Sequence, residues 1–153
     1  APVGCRISRE IVPSPWPKPK PVVSSSIIAV LATDAPLLPH QCRTLAQRAT
    51  VGVARTGGFG LHLSGDIFLA FSTGNHTYPQ QPGIHTYRSI PHSEIDPLII
   101  AAAEASEEAI LNALVAARTL TGRGGITAHA LPHDMLMEVM KKYAESSHPS
   151  SVL

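Results

Sequence analysis

Ser24-Ser25-Ser26-Ile27-Ile28-Ala29-Val30-Leu31-Ala32-Thr33-Asp34-Ala35-Pro36 sets three hydroxyl side chains directly against an apolar run rich in β-branched residues. No charge interrupts the run before Asp34, and Pro36 has no N–H with which to continue a ladder. The stretch therefore predicts a buried strand that begins at a serine. A hydroxyl at the mouth of a core strand sits on a backbone held by its neighbours, which suits it to chemistry that needs a fixed aim. Many serines do no more than start a strand, so the rest of the chain has to supply its partners.

Outward from that strand, Pro39 fits the first position of a helix. His40 to Ala54 then places Leu45, Ala46, Ala49 and Val53 on one face and Arg43, Gln47 and Arg48 on the other, with Gly57-Gly58 as the stop. Ile67, Leu69 and Phe71 alternate with Phe68 and Ala70, so both sets are apolar and a second strand covered on both faces is expected. Strand, helix and strand in this order indicate α/β layering. Residues 73 to 94 are rich in turn residues and read as a long surface loop, a lid or an oligomer contact. Asn75-His76-Thr77 matches the glycosylation triplet but has no secretory signal to go with it. Asp96 as cap and Pro97 as first residue open a long helix, Leu98 to Leu120, buried except for a solvated stripe of Glu104, Glu107 and Glu108. Gly122, Gly124 and Gly125 end it. A short strand or turn over Ile126 to Leu131 and a last helix over Pro132 to Ala144 complete the pattern, before a polar tail.

The composition narrows the function classes. At 153 residues the chain is one domain's worth, and 44% apolar with 15% charged residues describes a folded rather than a disordered sequence. A net charge of +1 without a basic patch gives no electrostatic support to nucleic-acid binding. Low charge also suggests that much of the surface meets another chain. Cys5 and Cys42 lack metal-type spacing, and Pro132 separates His129 from His133, so these two cannot share a helical turn as zinc ligands. Gly57-Gly58-Phe59-Gly60 lacks the Lys-Ser/Thr of a phosphate loop. Neither metal nor cofactor is called for. Six of the 14 prolines fall before residue 24, and residues 1–25 read as a polyproline-like arm or linker ahead of a main body at 26–153. A start at Ala1 without methionine suggests a piece of a larger chain. No leader-like segment and no apolar run of about 18 residues occurs, from which a soluble protein off the membrane, with a cytoplasmic location favoured, is expected.

Ser26 finds its candidate partners in Leu63-Ser64-Gly65-Asp66-Ile67. If the second strand begins near Leu63, Ser64 and Asp66 are two residues apart and project to one face, and pairing of the two strands lets that face meet Ser26. A nucleophilic hydroxyl, a second hydroxyl to relay a proton and a carboxylate to orient them form a set able to hydrolyse amides.

Several blocks also carry a family resemblance in the right order. They are Ser26 to Gln41, Ala54-Arg-Thr-Gly57, Ser64-Gly-Asp-Ile-Phe-Leu-Ala-Phe-Ser-Thr73, Glu107 to Leu114, Thr121-Gly-Arg123 and His129-Ala-Leu-Pro132. Over roughly Ser26 to Tyr143 the chain resembles the C-terminal half of the L-aminopeptidase/D-amino-acid esterase family, which includes the β-peptidyl aminopeptidases. The resemblance implies an αββα four-layer sandwich and a precursor that cuts itself before a serine, which then becomes the N-terminal nucleophile of a smaller subunit. It also implies catalytic roles for Ser26 as nucleophile, Ser64 as second serine and Asp66 as acidic residue. The implied partners are the N-terminal (α) portion of the same precursor and further copies in a tetramer of heterodimers. The implied substrates are short peptides, amides or esters with a free amino end, including β- or D-residues. Relatives usually carry glycine or asparagine before the nucleophile where this chain has Ser25, and often an acidic residue where it has Gly124.

Two other readings stand beside the aminopeptidase. One is an unprocessed or truncated assembly module of the same fold without turnover, suggested by Ser25 and by the missing half. The other is an acyltransferase of the ornithine acetyltransferase kind, against which Ser26 argues, since those proteins use threonine at the cleavage point.

Overall fold

A computed structural model describes residues 26–76 and 82–146. The expected proline-rich arm and the polar tail beyond residue 146 lie outside the described residues. The chain divides into two compact units, one of them Val22–Asn112 and the other taking in the described residues from Ala113 on.

The first unit is built on a strand, a helix and a strand. Strand β1 (Ile28–Thr33) pairs in parallel with β2 (Ile67–Ser72), with Ile28 opposite Ile67 and Thr33 opposite Ser72. Parallel neighbours need a crossover, and helix α1 (Pro39–Arg55) supplies it. Leu38, in extended backbone, offers its carbonyl to the N–H groups of Gln41 at 2.9 Å and Cys42 at 3.0 Å. Leucine has no side-chain acceptor, so only half of a capping box forms: Gln41 Oε1 accepts the Leu38 N–H at 3.0 Å. Gln41 Nε2 donates to Ile90 O at 2.7 Å, which satisfies a buried amide and ties the helix start to the later loop. At the other end Gly57 takes φ +97° while its N–H reaches Ala54 O and the Gly58 N–H reaches Val53 O, each at 3.0 Å. These two bonds form a Schellman stop, and only glycine adopts that φ without strain.

As expected, α1 buries Leu45, Ala46, Ala49 and Val53 and exposes Arg43, Gln47 and Arg48. Leu37, Cys42, Leu45, Ile95 and Ala102 form the core, with Leu31 and Ala70 of the sheet packed against it. Burial pushes the Cys42 thiol up from its ordinary value, and a backbone hydrogen bond offsets part of that rise.

The strands depart from expectation in being covered on one face rather than two. Alternation turns Ala29, Leu31, Phe68 and Ala70 inward, whereas Ile28, Val30, Ile67, Leu69 and Phe71 remain 45–69% exposed. The apolar pattern of these strands describes a layer meant to be covered twice, and the described residues of the unit supply one cover. The second strand also begins at Ile67, not near Leu63. A turn closed by Ser64 N–H to Leu61 O at 2.7 Å precedes it, and the first ladder bond runs from Ile67 N–H to Ile27 O at 2.9 Å.

Past β2, Ser72 Oγ donates to Ala35 O and accepts the Gly74 N–H at 3.0 Å. The Asn75 side chain then grips Arg88, donating to its carbonyl at 2.8 Å and accepting from its N–H at 3.0 Å. The amide of the glycosylation triplet is thus spent on closing its own loop.

Helix α2 (Asp96–Ala116) stops four residues short of the expected Leu120. It starts one residue early too, since Ile95 O accepts the N–H groups of Leu98 and Ile99. Rather than being largely buried, it covers only Ala102, Ala103 and Ser106, and Ile100 and Leu111 are exposed. Its small-residue stripe takes Gly52 of α1 at close range. A Cβ on Gly52 would lie 2.7 Å from Ser106 Cβ and 2.8 Å from Glu107 N, and nearer still to the Ala103 carbonyl oxygen. One turn on, Arg55 and Glu107 pair at 3.1 Å.

In the second unit, β3 (Leu120–Thr121) and β4 (Thr127–Ala128) form a small antiparallel pair. Helix α3 (His133–Ser146) follows, with Val139 buried. No helix among the described residues is long and apolar enough to cross a membrane.

Candidate active site

The parallel register places the start of β1 beside the approach to β2. Ser26 and Ile27 precede β1 by two residues and one, and Gly65 and Asp66 precede β2 likewise, so each falls opposite its counterpart in continued register. Two hydrogen bonds join them, and a third lies within the downstream segment. The Gly65 N–H donates to Ser26 Oγ at 2.9 Å, the Ile27 N–H donates to Asp66 Oδ1 at 3.1 Å, and Ser64 Oγ donates to the same Asp66 oxygen at 2.6 Å.

All three residues expected at the site are therefore together, although Ser64 and Asp66 stand on an approach segment and not within a strand. A tight turn and a positive-φ glycine accompany this arrangement. The turn from Leu61 to Ser64 delivers the serine, and Gly60, at φ +57°, brings its backbone so close that a Cβ there would lie 3.5 Å from Asp66 Oδ2. Ser26 is exposed, while Ser64 and Asp66 are half-buried. The exposed hydroxyl is thus the one open to an incoming group, beside a more sheltered Ser64–Asp66 pair.

Each contact has a distinct chemical consequence. A backbone N–H aimed at Ser26 Oγ fixes the oxygen and leaves the hydroxyl proton free to pass to a base. Asp66 uses one carboxylate oxygen for both a side-chain and a backbone donor, which couples the orientation of Ser64 to the position of Ile27, the residue next to Ser26. Charge-assisted bonds of this type are shorter and about twice as strong as neutral ones, and the 2.6 Å separation falls in their range.

Gly65 and the Ile27 amide escaped sequence reasoning because they act through backbone atoms. The available signal was the glycine between Ser64 and Asp66, where a Cβ would stand 3.4 Å from Ser26 Oγ. A hollow of about 520 Å3 in the first unit lies elsewhere, between α1 and β2, with Leu38, Cys42, Phe68, Ala70, Phe71 and Tyr87 among its walls. None of the three site residues lines it. Among the described residues no three or more His, Cys, Asp or Glu side chains gather as metal ligands. His133 opens α3 and its Nε2 lies 2.9 Å from Val115 O, while His129 sits before that helix.

Comparison with known proteins bears on this geometry. The family model of peptidase family S58 matches residues 1–128. The chain is 49% identical over 119 residues to the beta-peptidyl aminopeptidase BapA of Sphingosinicella microcystinivorans, covering 77% of this chain and 30% of that relative. It superposes on a Burkholderia sp. beta-aminopeptidase with a TM-score of 0.68 and 46% identity, over 76% of this chain and 35% of the other. It also superposes on the L-aminopeptidase D-Ala-esterase/amidase of Ochrobactrum anthropi, described as a prototype for the serine aminopeptidases and a new variant among the Ntn hydrolase fold. There the TM-score is 0.72 and the identity 39%, over 78% and 34% of the two chains. The chain thus spans about a third of the length of these proteins, with an α/β fold like theirs.

Proposed function

Because the chain belongs to peptidase family S58, we propose that it carries the nucleophile of a self-processing serine aminopeptidase. Cleavage before Ser26 would turn its backbone nitrogen into an α-amine with a pKa of about 7.7–8.0, a base poised near neutral pH beside its own hydroxyl. Ser26 Oγ attacks the carbonyl of a substrate's N-terminal residue, giving its proton to that amine. The leaving amine takes a proton back, and water then hydrolyses the ester on Ser26. Ser64, held by Asp66, aligns the proton path. The observation that carries this reading is the linked set Gly65–Ser26 and Ser64–Asp66–Ile27.

The substrates in this proposal are short peptides, amides or esters with a free amino end, β-residues among them, and the names of the relatives support that class. The remaining layers of an αββα sandwich would come from the N-terminal portion of the same precursor. The uncovered apolar face of β1 and β2 supports such a partner, since five large apolar side chains on one sheet face are costly to leave in water. Oligomerisation into a tetramer of heterodimers belongs to the same proposal. At a third of the length of its relatives, the chain alone is expected to be inactive. Ser25 in place of the usual glycine or asparagine is expected to slow cleavage rather than abolish it.

The test is mass spectrometry and hydrolysis of amino-acid nitroanilides by the complete precursor. A fragment beginning at Ser26 and turnover lost in Ser26→Ala are expected. An uncut precursor, or turnover independent of Ser26, overturns the proposal.

A further inference from the structure

The Gly65 N–H is a contact to the reacting oxygen that Ser26, Ser64 and Asp66 do not account for. It spans 39 residues of sequence to meet Ser26 Oγ at 2.9 Å. Its position is braced just beyond, where the Ile27 N–H meets Asp66 at 3.1 Å and the Ile67 N–H meets Ile27 O at 2.9 Å. The donor therefore belongs to a segment fixed in place before substrate arrives, which is the condition under which a donor stabilises developing charge without having to reorganise.

Resting on the aminopeptidase reading, we propose that Gly65 is a catalytic residue acting through its backbone. Its N–H stabilises negative charge on oxygen, first at Ser26 Oγ and then at the oxyanion of the tetrahedral adduct. When the hydroxyl proton passes to the α-amine of Ser26, an Oγ electron pair forms the bond to the substrate carbon and the carbonyl π pair moves onto its oxygen. The two oxygens then share one carbon, so a donor within reach of the first is within reach of the second. Collapse of the adduct restores the carbonyl and expels the amine with its proton. In deacylation water attacks the ester and Oγ departs as the anion, again facing the Gly65 N–H, before it regains a proton.

The missing side chain fits the same role. A Cβ at position 65 would stand 3.4 Å from Ser26 Oγ, beside the atom to which the acyl carbon must bond. Any other residue except proline keeps the N–H but crowds the approach. The two properties of Gly65 are therefore separable by experiment.

In the complete precursor, glycolic acid in place of Gly65 turns one amide into an ester and deletes the N–H without adding a side chain. On a β-alanyl nitroanilide this variant is expected to lose about 10²-fold or more in kcat with KM little changed, the scale of losing one preorganised oxyanion donor. Gly65→Ala, which keeps the N–H and adds only the methyl, is expected to lower kcat less than the ester variant does and to raise KM. Wild-type kcat in the ester variant overturns the inference. If that variant does not fold, the wild type labelled with 15N-glycine serves. Addition of an aminoalkyl boronic acid, which forms a tetrahedral adduct on a serine oxygen, is expected to move the Gly65 amide proton downfield, and an unmoved resonance overturns the inference. Absence of turnover in the wild type would sink the aminopeptidase reading itself, an outcome distinct from an active wild type matched by the ester variant.

Discussion

Replacing Asp66 with alanine removes one carboxylate oxygen that accepts both Ser64 Oγ and the Ile27 N–H. Hydrogen bonds to a charged acceptor contribute roughly 1.5–3 kcal/mol each when fully sheltered. Asp66 is half-buried, so water replaces part of what is lost. The net loss of stability is expected at about 1–3 kcal/mol in total, with the Ile27 N–H left partly unsatisfied. For a chain of this size that corresponds to a fall in Tm of about 2–4 °C per kcal/mol, readable by circular dichroism. In the complete precursor, if the proposed aminopeptidase role holds, the loss in hydrolysis should be larger in free-energy terms, about 10²–10⁴ in kcat, the usual contribution of a positioned proton-transfer group. Asp66→Asn separates the two effects. Its amide oxygen can still accept both donors, so most of the stability returns, while the charge that strengthens the Ser64 bond does not. An alanine variant with the wild-type Tm and the wild-type kcat would refute the reasoning, as would an asparagine variant with full activity.

Gly52→Ala gains about 1 kcal/mol of helix propensity but drives a methyl into the backbone of α2, an overpacking that costs about 1–3 kcal/mol, so unfolding by urea should show net destabilisation. In a Cys5→Ser background, Cys42 should resist alkylation until the chain unfolds. Because burial holds its thiol above the ordinary value, the native state keeps its proton longer than the unfolded state, and stability should fall as pH rises above the normal thiol pKa. A flat profile there would show that the thiol is not sheltered. Leu69→Ala, on the exposed face of β2, should change the stability of the isolated chain by no more than about 0.5 kcal/mol. The same substitution should weaken association with the N-terminal portion by about 2 kcal/mol or more, as truncation at a buried site does, and equal affinity for both would mean that this face is not the contact.

What could be read from the sequence was whatever repeats with a period. The 3.6-residue spacing of Leu45, Ala49 and Val53 located α1, and Pro39 and Gly57 marked its ends almost to the residue. Alternation in Ile67 to Phe71 located β2, yet the same alternation misled on burial. Apolar side chains on both faces record every surface a strand can meet, and the described residues of the unit cover only one of them. The grouping of Ser26, Ser64 and Asp66 was only weakly marked by types and spacing and was drawn together by the family resemblance, whereas its mechanism of assembly was not legible. Ser64 and Asp66 come together across a turn and an approach segment instead of a pleat, and the donor on Ser26 and one of the two on Asp66 are backbone amides, which every residue but proline possesses. Leu120 fell outside α2 because its cross-strand partner Ala128 lies eight residues later, beyond the reach of a helical pattern.

Three hydrogen bonds hold the Ser26–Ile27 segment, and all three come from Gly65, Asp66 and Ile67, about 40 residues downstream. A ribosome-bound or collapsed chain that has not threaded its crossover helix and seated the second strand holds no trace of this arrangement. If release of the new amino end depends on it, maturation becomes a report on completed folding: a misfolded copy remains in one piece, and its uncut length alone would distinguish it from a working one on a gel.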